Sequence, residues 1–168
     1  EPERAAAINE DPGSPRDVLF EAVGARALSS GAWVAAQEAT ADDLRAAYRR
    51  VLLHLAADDL TSASPEEAMP SVGARIADLV DATMDAGLAL ARRDVDPEGT
   101  VPFAIIAMGK TGARELNYIS DVDVIYVAKA GADGDERSAL EKATRLASAT
   151  ASACSGPGTQ APLWTVDA

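Results

Sequence analysis

Several residue types are scarce in this sequence, and each scarcity excludes something. A single cysteine, Cys154, removes any disulfide framework within the chain and suits a reducing compartment. Aromatic residues make up only 4% of the 168 residues, and the one histidine, His54, reads as structural rather than catalytic. No apolar run approaches the length of a membrane span, and the polar start EPERAAAINED lacks the charged-then-apolar order of a signal peptide. Cytoplasm is the expected compartment. Beginning at Glu1 rather than methionine, the chain reads as an internal piece of something longer.

Basic residues are also few. Fifteen Lys and Arg face 27 Asp and Glu, for a net charge of −12, and they form no basic run. A phosphate-rich partner such as nucleic acid, or an anionic membrane, would repel this chain. Residues 1–100 hold nine arginines against nineteen acids and no lysine, a charge of −10. Residues 101–168 hold six basic and eight acidic residues, a charge of −2, including Lys110, Lys129 and Lys142. A phosphate-handling site is better placed in the second region. We therefore divide the chain into a helical region, 1–100, and a chemistry-bearing region, 101–168.

What is abundant is alanine, with 37 copies, so helix is expected to dominate. Val18, Leu19, Val23, Ala27 and Leu28 are spaced for a helix from Asp17 to about Gln37, with interruptions expected at Gly24 and Ser29-Ser30-Gly31. Thr40 reads as an N-cap for a helix through Asp59 that presents Leu44, Tyr48, Val51, Leu52 and Leu55 on one face. Ser64-Pro65-Glu66-Glu67 is another start signal. After Pro70, Val72, Ile76, Leu79, Val80, Met84 and Leu88 keep helical spacing to Arg92-Arg93. Residues 94–100 read as a linker.

The period then changes. Phe103 to Met108 is a short apolar run expected to form a strand covered on both faces, and Val122 to Val127 is a second, β-branched one. Gly109 to Arg114 reads as a polar loop between them, Glu136 to Ser152 as a helix, residues 155–158 as a turn, and Pro162 to Ala168 as a third strand.

Asp121 and Asp123 flank Val122 at the start of the second strand. Side chains two apart on a strand share a face, so both carboxylates can converge on one point. Their mutual repulsion calls for a cation, and oxygen donors with high charge density select Mg²⁺, with Mn²⁺ as a substitute. The alternative is two exposed acids at a strand end. Upstream, Gly109 permits close backbone approach to a phosphate and Lys110 supplies a point charge. A glycine turn, ten intervening residues and then Asp-x-Asp on an apolar strand resemble the polymerase-β-type nucleotidyltransferase superfamily. That superfamily adds a third carboxylate from a later strand, and Asp167 occupies the corresponding place.

The whole stretch from Ile106-Ala107-Met108-Gly109-Lys110 through Glu115-Leu116-Asn117-Tyr118-Ile119-Ser120-Asp121-Val122-Asp123 to Val127 resembles the glutamine synthetase adenylyltransferase family. The likeness is close over residues 101–129 and returns at Trp164 to Ala168. It implies an α+β polymerase-β-like core, a short mixed sheet with helices, preceded by a helical region. It also implies a metal site at Asp121, Asp123 and Asp167, with Gly109, Lys110 and Ser120 toward nucleotide and phosphate. The family attaches AMP to a tyrosine of glutamine synthetase and removes it by phosphorolysis, with one domain for each half-reaction. Glu115 to Asp121 resembles the amino-terminal, adenylyl-removing half. The adenylylating half, or a silent nucleotide-sensing or docking module, are the alternatives. Glutamine synthetase is the implied partner, together with a small nitrogen-signalling protein. Thr111 and Ala113 depart from the family's commoner loop residues. Of the remaining residues, His54 and Cys154 read as structural, Arg114 and Glu115 as shaping the loop by pairing with each other or with substrate, and Ser120 as a turn cap or phosphate donor.

Overall fold

Helices supply most of the structure and a small mixed sheet supplies the rest, in a computed structural model that describes residues 13–130 and 135–168. The amino-terminal stretch considered above for a signal peptide lies outside the described residues. Among those described, no helix is long and apolar enough to cross a membrane. The α+β nucleotidyltransferase-like architecture expected from the sequence is the one found.

Helix α1 (Pro15–Ala22) starts with proline at its first turn and with Ser14 Oγ accepting from the Asp17 amide. The helical spacing that reached toward Gln37 is interrupted at Gly24, one of the two interruptions expected. Gly24 turns the chain at φ +56, and a two-residue antiparallel hairpin follows, β1 (Arg26–Ala27) and β2 (Trp33–Val34). Val18, Leu19 and Val23 face the core, but the helical period that would have buried Ala27 and Leu28 has ended. Helix α2 (Ala41–Leu60) begins with a reciprocal capping box. Thr40 Oγ1 accepts from the Asp43 amide and the Asp43 carboxylate accepts from the Thr40 amide. Its predicted face is buried at Leu44, Tyr48, Val51 and Leu55.

Helix α3 (Pro65–Val95) begins at the expected Ser64-Pro65-Glu66-Glu67 signal and runs unbroken for 31 residues through Pro70. Proline so near the start forfeits one backbone bond, to Glu66, so the cost is small beside the face buried downstream. That helix has two apolar faces. Leu79, Ala82, Ala86, Ala89 and Leu90 join α1, the hairpin and α2 in one core. Val72, Ile76, Ala77, Val80 and Met84 join the sheet in another.

The sheet has the order β3 (Phe103–Ala107), β4 (Val122–Ala128), β5 (Val166–Asp167). The first pair is antiparallel, with Ala107 opposite Val124. The second pair is parallel, with Val122 opposite Val166 and Asp123 opposite Asp167. Two expectations need correction. Gly109 to Arg114 is mostly a short helix, α4 (Gly109–Ala113), and the third strand is two residues long rather than seven. Pro162 has no N–H to give a ladder, and Leu163 and Trp164 turn toward the helical cores instead. The strands are also covered on one face only. Helices α3 and α5 (Glu136–Ser155) lie on the side of Val122 and Val124, while Ile106, Ile125 and Val127 stay about half exposed.

Candidate active site

The uncovered face of β4 carries the two aspartates. Strand alternation sends Val122 and Val124 into the core, at 1% and 4% exposure, and leaves Asp121 and Asp123 on the open side. On the parallel neighbour, Asp167 stands in register beside Asp123. Three carboxylates, Asp121 just before β4, Asp123 on it and Asp167 on β5, therefore stand near one end of the sheet, and all three are exposed.

The turn after β3 is built onto the same aspartate. The Met108 amide donates to the Asp123 carbonyl at 2.9 Å. Gly109 follows at φ +51, and a Cβ there would lie 2.5 Å from Asp123 Oδ2. Only glycine meets both requirements, the left-handed backbone and the close approach of the carboxylate. Lys110 stands exposed on α4, in no ion pair among the described residues. Thr111 is buried, with its hydroxyl unpaired.

The segment from Arg114 to Ser120 is anchored by side chains. Arg114, itself left-handed at φ 61, forks onto Asp78 of α3 at 2.6 and 2.9 Å. That corrects the expected pairing with Glu115, because the guanidinium reaches α3. Leu116 is buried against the same helix. Tyr118 donates to Asp59 Oδ2 at 2.8 Å, and partial burial together with that acidic acceptor pushes its phenol up to about 12. The Ser120 hydroxyl donates to Asn117 Oδ1 and accepts from the Asn117 amide, closing the turn that delivers Asp121. His54 is partly buried on α2. Cys154 is fully buried, which pushes its thiol up to about 12 and keeps it protonated.

By donor chemistry the carboxylates suit Mg²⁺ or Mn²⁺, since all the oxygens are hard and anionic. The register of β4 with β5 sets Asp123 and Asp167 side by side. Among the described residues, however, no three His, Cys, Asp or Glu side chains are gathered closely enough to hold an ion. The backbone arrangement is in place and the convergence of the carboxylate oxygens is not.

Sequence reading passed over the charged residues of α2. Asp42, Arg45 and Arg49 bind the chain between α5 and β5. The available signal was Arg45, an arginine lying within an apolar stripe. It also missed that Arg92, at the end of α3, forms a buried pair at 2.7 Å with Asp96 in the stretch read as a linker.

The glutamate-ammonia ligase adenylyltransferase family model matches residues 15–168. A bifunctional glutamine synthetase adenylyltransferase/adenylyl-removing enzyme from Cutibacterium acnes is 45% identical over 156 residues, covering 90% of this chain and 16% of that protein. Its counterpart from Leifsonia xyli is 44% identical over 164 residues, with the same coverage of each. That from Bifidobacterium longum subsp. infantis is 38% identical over 158 residues, covering 89% of this chain and 14% of the relative. The chain thus corresponds to roughly a sixth of the relatives it matches.

Proposed function

Because the chain belongs to the glutamate-ammonia ligase adenylyltransferase family, we propose that it contains the adenylyl-removing site of a bifunctional enzyme acting on glutamine synthetase. The observation that carries this reading is the Asp121–Asp123 pair on the open face of β4 with Asp167 in register beside it. The choice of half-reaction rests on the stretch Glu115 to Asp121, which resembles the amino-terminal half of the family.

The reaction is phosphorolysis. An oxygen of inorganic phosphate bonds to the α-phosphorus of adenylyl-tyrosine, the bond from phosphorus to the phenolic oxygen breaks, and the tyrosine oxygen takes up a proton. The products are ADP and free tyrosine. Two anions have to meet, so most of the barrier is positioning and charge. Asp121, Asp123 and Asp167 would hold Mg²⁺, or Mn²⁺ in its place. Bound there, the metal supplies neutralisation of phosphate and departing phenolate charge. Lys110 adds a positive charge to orient phosphate oxygens, and Gly109 keeps the backbone low enough for them to approach. A phenol with an ordinary pKa of about 10 is a fair leaving group, so no covalent enzyme intermediate is required.

The test is product analysis on the full-length protein with adenylylated glutamine synthetase, Mg²⁺ and phosphate. ADP should appear, and Asp121→Asn or Asp123→Asn should reduce its release by at least about a hundredfold with folding preserved. Near-normal turnover in both variants sinks the assignment. Loss of ATP-dependent pyrophosphate release instead would assign these residues to the adenylylating half.

A further inference from the structure

Strand β5 contributes just Val166 and Asp167 to its ladder. So short a pairing does little to specify its own register, and a slip of one residue would turn Asp167 to the opposite face. Something outside the strand must set it.

The chain leading to β5 is held along its length by one face of α2. Arg45 is fully enclosed, at 0% exposure, and its guanidinium donates to Ala153 O at 2.9 Å, Ser152 O at 3.1 Å and Gln160 O at 3.1 Å. A buried guanidinium is costly unless its N–H groups are satisfied, and the last carbonyls of α5, at the negative end of that helix, satisfy them. One turn earlier, the Asp42 carboxylate accepts from the amides of Thr159 and Gln160 at 2.9 and 3.0 Å and from the Thr159 hydroxyl. These donors, Thr159 Oγ1 foremost, hold the Asp42 carboxyl below its ordinary range. One turn later, half-buried Arg49 donates to Gln160 Oε1 at 3.3 Å, to Pro162 O at 3.2 Å and to Ala161 O. Residues 42, 45 and 49 lie on one helix face. The loop fits them closely, since a Cβ on Gly158 would stand 2.4 Å from Asp42 Oδ1 and 2.7 Å from Arg45 Nη1.

Beyond the loop the anchoring continues. The Leu163 amide donates to Cys154 O at 3.0 Å, Trp164 packs edge-on to Tyr48 of α2 at 6.2 Å, and the Val122 amide donates to Thr165 O at 3.0 Å. Asp167 follows two residues later.

We infer that Asp42, Arg45 and Arg49 are positioning residues that set the register of β5 and thereby place Asp167 beside Asp123. This inference rests on the reading of Asp167 as the third carboxylate of the proposed site. None of the three bonds to Asp121, Asp123 or Asp167; they act through the loop.

The experiment compares Asp42→Asn, Arg45→Lys and Arg49→Gln in the full-length protein. Hydrogen exchange of metal-free protein should quicken at least about tenfold in residues 156–168, with residues 72–90 unchanged. The Mg²⁺ needed for half-maximal ADP release should rise about tenfold, the range seen when groups that orient metal ligands are lost. The turnover number should fall at limiting Mg²⁺ and recover in excess, with KM for adenylylated glutamine synthetase unmoved. Arg45→Lys keeps the charge but loses the planar fork, so it should behave as a loss rather than a rescue. If that variant fails to fold, the two at partly exposed positions decide. Unchanged exchange would overturn the inference. So would faster exchange with unaltered Mg²⁺ dependence, which describes a clamp that only stabilises. Asp121→Asn in the same assay judges the functional reading separately, because normal ADP release there would sink that reading while the exchange data still report on β5.

Discussion

At the scale of single residues, Gly109 carries two constraints that coincide. Its left-handed backbone strains any side chain, and with Asp123 Oδ2 2.5 Å away a Cβ would have to displace that carboxylate. Gly109→Ala should cost about 1–2 kcal/mol from the backbone alone. It should also push the Asp123 carboxylate aside, lowering ADP release at least tenfold. Urea denaturation and product analysis measure the two effects, and loss of stability without loss of turnover would mean that the contact with Asp123 is incidental. The glycine itself was legible in the sequence as the turn that closes the first strand. Its contact with Asp123 was not, because the two are fourteen positions apart and meet only when β3 pairs with β4.

At the scale of elements, the junction from α3 to β3 is held by a buried charge network rather than by a loose linker. Asp96 pairs with Arg92 at 2.7 Å, accepts from the Thr100 hydroxyl and from the amides of Thr100 and Val101, and lies 3.5 Å from Lys142 of α5. Burial opposes its ionisation, but those donors and Lys142 prevail and hold the carboxyl below its ordinary 3.8. Its stabilising contribution is therefore complete above that ordinary value and is lost as the pH falls through the lower folded one. Asp96→Ala would leave Arg92 buried and unpaired, and should cost about 3–5 kcal/mol, measurable by chemical denaturation at neutral pH. A loss below 1 kcal/mol would show that Arg92 finds water or another acceptor. Proline, glycine and acids at 94–100 read correctly as a break between a helix and a strand. That the break is enclosed follows from Lys142 and Val101, which no local pattern connects to Asp96.

At the scale of the whole molecule, α3 belongs to both cores. Leu79 and Leu90 face α1, α2 and the hairpin, whereas Ile76, Val80 and Met84 face the sheet. Residues from the carboxyl-terminal third enter both, since Ala153 joins the first core and Val122, Val124 and Cys154 join the second. The change in composition near residue 100 is thus not a gap in the packing. Unfolding should be a single transition. The two tryptophans report from different places, Trp33 in the hairpin and Trp164 before β5 where both cores meet, so Trp33→Phe and Trp164→Phe variants should give the same urea midpoint by fluorescence, within the small stability change of each substitution. Separated midpoints would reveal independent units. Leu79→Ala should shift both probes together, by about 3–5 kcal/mol.

What the sequence determined by itself is whatever depends on neighbours along the chain. The cap at Thr40 follows from its hydroxyl and Asp43 three residues on, and the face of α2, the course of α3 after Pro70 and the shared side of Asp121 and Asp123 follow from periods of 3.6 and 2. What tertiary structure decided depends on contacts between distant segments. The apolar runs of β3 and β4 read as buried on both faces, yet their helices gather on one side. The spacing of residues 17–37 suited a helix, yet Gly24 and a two-residue hairpin packed on α3 won. Asp167 was identified as a carboxylate in the right order along the chain, but its place beside Asp123 is a matter of register. A two-residue strand does little to fix register alone, and here the surrounding anchors come from a helix more than a hundred residues earlier.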